Sequence, residues 1–320
     1  MIIRLACAVL AIFIVTVSGA LRAQGYPTGP VRILVPVPPG GPLDLTARVL
    51  AEHFGAAWER PVIVENRPGG GTLVAARLAL QAEPNGHTLL ITTSSISSFS
   101  AFFKNPGIDI AKDVTFISMI AKVPMFLAVS ASASYATVQD LVKAARAQPL
   151  TLNYAGYGNA NRVMSELLNK SLGVQLTHIG FSGASPAAQA LVRGDVATML
   201  DSMSTLSPLI AANKVRVLAV TERTRVPSHP QIPTIAEAGF DMPEFGIWYA
   251  LVGPAGIAPS IVEKLAGEIG AFARSGKAAS RLAPFGFALA ASTPTELREL
   301  ALRAERIFTE MAQALAIERE

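Results

Sequence analysis

The sequence predicts an α/β protein of two lobes. Short apolar runs with strand character alternate with segments of helical periodicity along the chain, and this alternation is typical of parallel sheets with helices on both faces. The length of 320 residues suffices for two domains of ordinary size. Two segments, around residues 123–130 and 245–253, are predicted to cross between the lobes, and the roughly 115 residues between them match one small α/β domain.

Each element follows from its own pattern. In the segment 44–58, Leu45, Val49 and Phe54 recur at helical spacing, whereas the run VRILVPV at residues 31–37 has the character of a buried strand. The same reasoning predicts further strands at 62–65, 88–93, 151–154, 197–200 and 215–220. It predicts further helices at 72–81, 138–147, 160–172, 185–193, 260–275 and 295–317.

The two crossings divide the chain into lobes. Lobe 1 is predicted to be discontinuous, with residues 24–126 and 250–320, and lobe 2 is predicted to be inserted, with residues 127–249. Two strands of chain between the lobes make a hinge, and a cleft is expected between the lobes.

Residues 1–23 have the pattern of a secretory signal peptide. Arg4 supplies an early positive charge, and residues 5–17 form an apolar run that is followed by small residues. Cleavage after Ala23 or Ala20 fits this pattern and would export the chain to the periplasm. A retained membrane anchor is the alternative, but the apolar run is short for a membrane span.

The remaining composition excludes several classes of chemistry. The only cysteine is Cys7, so the mature chain is expected to contain no disulfide and no cysteine-bound metal. Without Arg4 and Arg22 the chain carries 25 basic and 23 acidic residues and has no run of Lys and Arg, which argues against a nucleic-acid partner. The four histidines lack the spacing of metal ligands. No cofactor is expected.

The first candidate binding segment is the Pro/Gly loop between the first strand and the first helix. Glycines let backbone N–H groups approach a ligand, and the N-terminus of the following helix favours an anion. Asp44 is interpreted either as the N-cap of the helix or as an acceptor for a ligand ammonium or hydroxyl group. The candidate ligand-binding residues here are Val37, Pro38, Gly40, Gly41 and Asp44.

Two further segments of lobe 1 have a similar placement. The run VENRPGGGT at residues 64–72 is interpreted mainly as a tight turn in which Thr72 is the N-cap of a helix and Asn66 holds the loop. The serine-rich run after the strand 88–93 is either a ligand loop at the carboxyl end of a strand or a solvated loop. Its candidate residues are Thr93, Ser94 and Ser95.

Lobe 2 offers three candidate loops, each at the end of a predicted strand or the start of a predicted helix. A second anion site at a helix N-terminus, facing the first across the cleft, is the preferred interpretation, because the spacing of a dinucleotide fingerprint is absent. The candidate residues are Gly156, Tyr157, Gly158, Asn159, Asn161, Ser182, Gly183, Asp201 and Ser202.

The ordered set of motifs resembles the Bug-type receptors of tripartite tricarboxylate transporters. The resemblance covers nearly the whole mature chain and is carried by VPVPPGGPLDLTAR, VENRPGGG, EPNGHTLL, KDVTFIS, LNYAGYGNANRVMSELL, HIGFSGASPAAQALVRGDV, LAVTERTRVPSHPQIPTIAEAGF and WYALVGPAG. It implies a type II periplasmic-binding-protein fold whose two lobes close on a small carboxylate, held mostly by backbone amides and waters. The candidate loops above are the loops that the resemblance assigns to the ligand.

Three positions depart from the pattern of that family. Phe181 to Ala184 stand where a Tyr-Lys-Gly-Gly-like run is common, Arg162 stands where the family often has His, and Thr72 stands where it usually has Asn. Arg162 either supplies a charge for a second ligand carboxylate or is a surface arginine on a helix.

The resemblance implies a periplasmic solute-binding protein rather than an enzyme. We expect it to capture a dicarboxylate, an amino acid or a related organic acid by hinge closure, and to deliver it as a monomer to the membrane components of a tripartite tricarboxylate-type transporter. The alternatives are a receptor that presents its ligand to a signalling sensor and, less favoured, a secreted enzyme on the same scaffold.

Overall fold

The computed structural model describes residues 25–242 and 246–319. The predicted signal peptide, residues 1–23, and Cys7 lie outside the described residues. Among the described helices, none is long and apolar enough to cross a membrane.

The elements alternate as the sequence predicts. The strands are β1 (Val31–Val35), β2 (Val62–Asn66), β3 (Thr88–Thr93), β4 (Val114–Val123), β5 (Phe126–Ser130), β6 (Asn153–Tyr157), β7 (Thr177–Phe181), β8 (Thr198–Asp201), β9 (Val215–Val220), β10 (Ile247–Pro254) and β11 (Ala288–Leu289). The α-helices are α1 (Pro42–Trp58), α2 (Leu73–Leu80), α3 (Phe99–Phe102), α4 (Ile110–Asp113), α5 (Val138–Ala147), α6 (Gly158–Leu172), α7 (Ala184–Arg193), α8 (Met203–Ala211), α9 (Pro259–Ala273), α10 (Gly276–Leu282) and α11 (Pro294–Ala314). Short 3₁₀ turns occupy Gly70–Thr72, Ser94–Ser98 and Ala283–Phe285.

The strands form two separate sheets. The first has six strands in the order β11-β4-β10-β3-β1-β2, and the second has five in the order β7-β6-β8-β5-β9. Strands β1, β2 and β3 pair in parallel, as do β6, β7 and β8. Buried apolar side chains fill both faces of the six-stranded sheet and of the five-stranded sheet. The predicted two-lobe α/β architecture is therefore present.

The expectation of parallel sheets holds for β1 to β3 and for β6 to β8, but both sheets are mixed. Strand β10 runs antiparallel to β3 and β4, and β5 runs antiparallel to β8 and β9. Both are the strands that enter a lobe after the chain has crossed the hinge. Such a strand starts at the hinge and runs away from it, whereas the parallel strands run towards it.

The chain crosses between the sheets twice. The first crossing joins β4 to β5 within three residues, and the second joins β9 to β10 through residues 221–246. The pairing of Phe126 with Asp201 places Phe126 in the five-stranded sheet, and the pairing of Ile247 with Val123 places Ile247 in the six-stranded sheet. The predicted lobe boundaries stay a prediction. They assign Phe126 to lobe 1 and Ile247 to lobe 2, whereas each of these residues pairs in the sheet of the opposite lobe.

The C-terminal helix α11 joins the two lobes. It begins with a capping box of Thr293 and Glu296, with Pro294 at the first helical position, which favours a helix start here. Its last half packs Phe308 against Phe102 of lobe 1, with ring centroids 5.8 Å apart, and into the apolar core of lobe 2. The helix thus buries apolar surface on both sides of the hinge.

Phe308 provides a test of this packing, because its side chain is only 1% exposed. We expect Phe308→Ala to lower the free energy of unfolding by about 3–5 kcal/mol, since a buried ring is lost and a cavity remains. Urea unfolding followed by circular dichroism measures the change. The matched control is Leu78→Ala, whose side chain is 49% exposed on a helix and which should cost less than about 0.5 kcal/mol. Equal losses in the two variants would contradict the joining role of α11.

Candidate functional site

The loops predicted to bind a ligand in lobe 1 share one edge of the six-stranded sheet. Because β1, β2 and β3 are parallel, the segments that follow Val35, Asn66 and Thr93 leave the sheet on the same side. Thr93 pairs with Tyr249, near the start of β10, so this side is the one at the hinge.

The loops of lobe 2 leave their sheet towards the same hinge. Tyr157 ends β6 and Asp201 ends β8, and these strands are parallel. Asp201 pairs with Phe126, the first residue of β5 after the crossing. The two sheets therefore direct their loops towards the hinge from opposite sides, and the space between the loops is the interlobe cleft.

Residues of the two lobes approach closely beside this cleft. Met203, two residues after Asp201, lies so near Gly286 of lobe 1 that a Cβ on Gly286 would be 2.9 Å from the Met203 Cβ. Burial is the main cause that raises the pKa of the Tyr157 hydroxyl, followed by the charge and the hydrogen bond of Asp201, and Tyr249 of lobe 1 lies near enough to add a smaller electrostatic effect. The lobes are thus in contact between the residues that follow β8 and the glycine that follows the 3₁₀ turn Ala283–Phe285.

Asp44 holds the first loop in place. Its side chain is 1% exposed and accepts four hydrogen bonds, from Gly40 N (2.8 Å), Arg48 Nε (2.9 Å), Arg48 Nη2 (3.0 Å) and Asn66 Nδ2 (2.8 Å). The Asn66 amide also donates to the carbonyl oxygen of Val37 at 3.0 Å. A carboxylate with four donors has little acceptor capacity left for a ligand.

The interpretation of Asp44 as an N-cap is wrong. The N-cap of α1 is Gly41, which has no side chain to bond, and Asp44 is the third residue of the helix. From there its carboxylate reaches back to Gly40 and across to β2. It closes the loop rather than capping the helix, so we regard it as a positioning residue.

The charge of Asp44 is favoured by its partners. Burial by itself raises the pKa of this carboxyl group, but the hydrogen bonds from Arg48, Gly40 and Asn66 lower it more, and the pKa lies below its ordinary value. The Arg48 guanidinium, whose pKa is raised chiefly by the Asp44 hydrogen bond, stays charged. The loop is therefore held by an ionic clamp at neutral pH.

The second glycine of the loop, Gly41, has open space beside its Cα. Pro38 and the prolines beside it have no N–H group, and the N–H of Gly40 is used by Asp44. Gly41 has extended backbone angles (φ −78°, ψ 167°), and nothing lies within 4 Å of the position of a Cβ. Its N–H and those of the first turn of α1 are the donors that the loop can offer to a ligand.

The third loop of lobe 1 is a cluster of hydroxyl groups. Thr93 caps the 3₁₀ turn through a bond from Ser95 N to Thr93 Oγ1 (3.1 Å), and Thr93 Oγ1 donates to Ser95 Oγ (2.8 Å). The Thr93 and Ser95 side chains are half-buried, whereas Ser94 is buried. Thr93 and Ser95 are therefore the more accessible of the three predicted residues.

A second buried carboxylate organises the loops of lobe 2. Asp201 is 2% exposed and accepts hydrogen bonds from Tyr157 Oη (2.8 Å), Ser202 N (2.6 Å) and Ser202 Oγ (3.3 Å). Asn161 donates to the carbonyl oxygen of Leu200 at 2.9 Å and accepts from Tyr157 N at 3.3 Å. These bonds tie the start of α6 to the end of β8. Burial raises the pKa of Asp201 despite the bonds from its neighbours.

The remaining candidates of lobe 2 lie on the same edge. A Cβ on Gly156 would be 2.6 Å from His178 Nε2, so this position requires glycine for packing. Ser182 is exposed, and Gly183, in extended backbone, precedes α7 with open space around its Cα. Gly158 and Asn159 are the first two residues of α6, and the surroundings of both lie outside what the structure describes.

A family model with the description "Tripartite tricarboxylate transporter family receptor" matches residues 46–306. The chain belongs to this receptor family. The resemblance seen in the sequence motifs is confirmed, and the family is one of periplasmic solute-binding receptors. Among the relatives, the chain is 33% identical over 285 residues to a Pseudomonas protein in the tcbD-tcbE intergenic region, with 88% of this chain and 84% of that protein covered. It is 29% identical to BugT from Bordetella pertussis, with 91% of each covered.

Solved structures support the fold of the receptor. A protein from R. palustris solved with adipate has 28% identity and a TM-score of 0.74, with 90% of this chain and 98% of that chain covered. MatC from Rhodopseudomonas palustris with bound malate has 27% identity and a TM-score of 0.71, with 90% and 100% covered. The predicted type II periplasmic-binding-protein fold is confirmed.

Two of the residues that depart from the family pattern, Arg162 and Phe181, contact other residues of lobe 2. Arg162 on α6 is partly buried and lies beside the Tyr154 hydroxyl and His178, where its charge contributes to lowering the pKa of His178 after burial. Phe181 is partly buried against the apolar core of lobe 2. A contact of Arg162 with a second ligand carboxylate stays a hypothesis.

Three residues that shape the site lie outside the predicted set. Arg48 follows Asp44 by four positions, which is the spacing of a helical ion pair, and that signal was present. Tyr249 and Met203 carried no signal, because their closeness to the opposite lobe depends on the hinge. Among residues 25–242 and 246–319, no cluster of three or more acidic, His or Cys side chains could hold a metal ion.

The clamp predicts how stability depends on pH. Because the folded pKa of Asp44 is lowered, its contribution is present above the unfolded pKa and is lost as the pH falls through the folded pKa. We expect Asp44→Asn to lower the free energy of unfolding at pH 7 by about 1–3 kcal/mol. The difference from wild type should shrink below about pH 4. Urea unfolding between pH 2 and pH 7 tests this, and a difference that is constant with pH would refute the clamp.

Proposed function

We propose that this receptor captures a small carboxylate in the periplasm and delivers it, chemically unchanged, to the membrane components of a tripartite tricarboxylate-type transporter. The carboxylate is a dicarboxylate, an amino acid or a related organic acid, and the receptor acts as a monomer after loss of its signal peptide. The observation that carries the proposal is the placement of backbone and hydroxyl donors from both lobes on the two edges that face each other at the hinge.

The two edges are suited to an anion. Helix α1 begins just after Gly41 and α6 begins at Gly158, and both helices direct their N-termini to the cleft edge. The first N–H groups of a helix have no acceptor within it, and the helix dipole favours negative charge there. The buried carboxylates of Asp44 and Asp201 accept hydrogen bonds from internal donors. The groups that remain for a ligand in the cleft are uncharged N–H and O–H donors.

Hinge closure explains how binding becomes a signal to a partner. Donors on opposite lobes can hold one ligand together only when the lobes approach. A ligand that contacts both lobes therefore stabilises the closed state over the open state. The closed receptor is the form that we propose docks on the transporter.

The solved relatives support the class of ligand. One was solved with adipate and another with malate, and both acids are dicarboxylates. The family is one of solute-binding receptors and not of enzymes, which supports a role without catalysis for this chain.

A ligand screen tests the capture of a carboxylate. Purified mature protein is heated with mono-, di- and tricarboxylates, amino acids and aromatic acids. At about 100 times its dissociation constant, a ligand should stabilise the fold by roughly 2.7 kcal/mol. One group of acids should raise the melting temperature, and mass spectrometry should recover the acid unchanged.

The variant Gly41→Phe locates the binding event. The space around Gly41 is open and its φ of −78° suits any residue, so the ring should fill the cleft without unfolding the protein. We expect the stabilisation by the acid to be lost. The matched control is Gly276→Phe, at a glycine that also has open space but lies at the start of α10, and it should respond like wild type. Binding that survives in Gly41→Phe would place the ligand elsewhere.

An uptake assay tests delivery to a transporter. Cells that lack this chain should lose uptake of the radiolabelled acid found in the screen, and expression of wild type should restore it. Expression of Gly41→Phe should not restore uptake, whereas Gly276→Phe should. Unchanged uptake together with an altered transcriptional response to the acid would favour the role of a ligand-presenting receptor for a signalling sensor.

A further inference from the structure

Thr72 lies at the cleft edge but outside the residues predicted to bind ligand. It ends the loop between β2 and α2, after three glycines that all have positive φ. This loop leaves the sheet on the same side as the loop that follows β3, because β2 and β3 both run parallel to β1, which lies between them. The Thr72 side chain is half-buried, so it is not sealed in the core.

The backbone of Thr72 is strained. Its φ is 83° and its ψ is −6°, a left-handed conformation that is unfavourable for a β-branched side chain. Thr72 stands at the N-cap position of α2, yet its hydroxyl makes no bond to the helix. The hydroxyl instead lies 3.0 Å from Ser95 Oγ. The strain therefore places the hydroxyl group on the third loop rather than on the helix that Thr72 precedes.

Thr72, Ser95 and Thr93 form a chain of three hydroxyl groups. Thr93 Oγ1 donates to Ser95 Oγ at 2.8 Å, and Ser95 Oγ shares one further proton with Thr72 Oγ1. Three hydroxyls carry three protons, and these two bonds use two of them. Whichever of Thr72 and Ser95 donates to the other, one O–H group has no acceptor among the described residues.

The unused proton is available to an acceptor outside the protein, because Thr72 and Ser95 are only half-buried. In a chain of hydrogen bonds each donor polarises the next, which strengthens the terminal donor. A donor of this kind bonds best to an ionised oxygen. With Ser95 as the donor to Thr72, the chain runs from Thr93, at the carboxyl end of β3, to a free O–H group on Thr72, on the side of the sheet where the ligand is proposed to lie.

We infer that Ser95 donates to Thr72, that Thr72 is a further ligand-contacting residue of the receptor, and that its hydroxyl donates one hydrogen bond to a carboxylate oxygen of the bound acid. This inference rests on the proposed function and adds to it one hydroxyl group that donates one hydrogen bond to the ligand. The competing explanation is that the hydroxyl of Thr72 only ties the glycine loop to the third loop.

The test separates contact from structure with three substitutions at one position. Thr72→Ser keeps the hydroxyl, Thr72→Val removes it but keeps the branched shape, and Thr72→Gly removes it and relieves the left-handed strain. Affinity is measured by calorimetry with malate, with adipate and with the acid that gives the largest shift in the screen. Stability is measured by thermal unfolding without ligand. The control is Thr309→Val, which removes a hydroxyl that bonds within α11, to Glu305 O.

We expect Thr72→Val to bind the acid at least 10-fold more weakly than wild type, and Thr72→Ser to remain within about threefold of it. Thr72→Gly should also bind more weakly while its melting temperature stays equal to or above that of wild type, because the hydroxyl is lost and the left-handed strain is relieved. Thr309→Val should bind like wild type.

Unchanged affinity in Thr72→Val would overturn the assignment of Thr72 and leave the proposed function intact. A loss of affinity in Thr72→Gly that comes with a matching loss of thermal stability would support the structural tie and overturn the assignment as well. If no acid binds the wild-type protein at all, the proposed function fails first and this inference fails with it.

Discussion

The direction of the strands at the hinge is the constraint on which the rest of the structure depends. Strands β5 and β10 start at the hinge and run antiparallel to their neighbours β8 and β3. All the parallel strands with candidate loops therefore run towards the hinge. Their carboxyl ends, where open α/β sheets bind ligands, face each other across one cleft. A chain in which either crossing strand had entered in the opposite direction would have placed its loops on the far side of the lobe.

One buried aspartate in each lobe fixes the conformation of a loop without placing an unpaired charge in the cleft. Asp44 binds Arg48, Asn66 and the Gly40 amide, and Asp201 binds Tyr157 and Ser202. Donors that are fixed before the ligand arrives lose less entropy on binding. The design also explains how an anion site can contain acidic residues, because their oxygens are already occupied and the groups left for the ligand are backbone N–H and hydroxyl donors.

Where the hydrophobic pattern and the turn residues of the sequence are clear, the observed elements match the predicted ones closely. The helix Val138–Ala147 and the strands Thr88–Thr93 and Val215–Val220 begin and end at the predicted residues, since clear turn signals bound each of them. Strands β4, β5 and β10 are largely buried on both faces; the predicted crossings lie near them, but the sequence gave neither their direction nor their pairing. The role of Asp44 was misjudged for a similar reason: its partner Asn66 is distant in sequence and adjacent only across the sheet.

The sequence by itself determined the α/β class, the positions of the candidate loops and the membership of a receptor family, because periodicity, glycine-rich turns and ordered motifs are local properties of the chain. Only the tertiary structure decided which of these loops share an edge, that Asp44 closes a loop instead of capping a helix, and that Thr72 meets Ser95. Hydrogen bonds of this kind depend on the distance between atoms of different strands. Strand order and direction set that distance, and no pattern along the chain contains it.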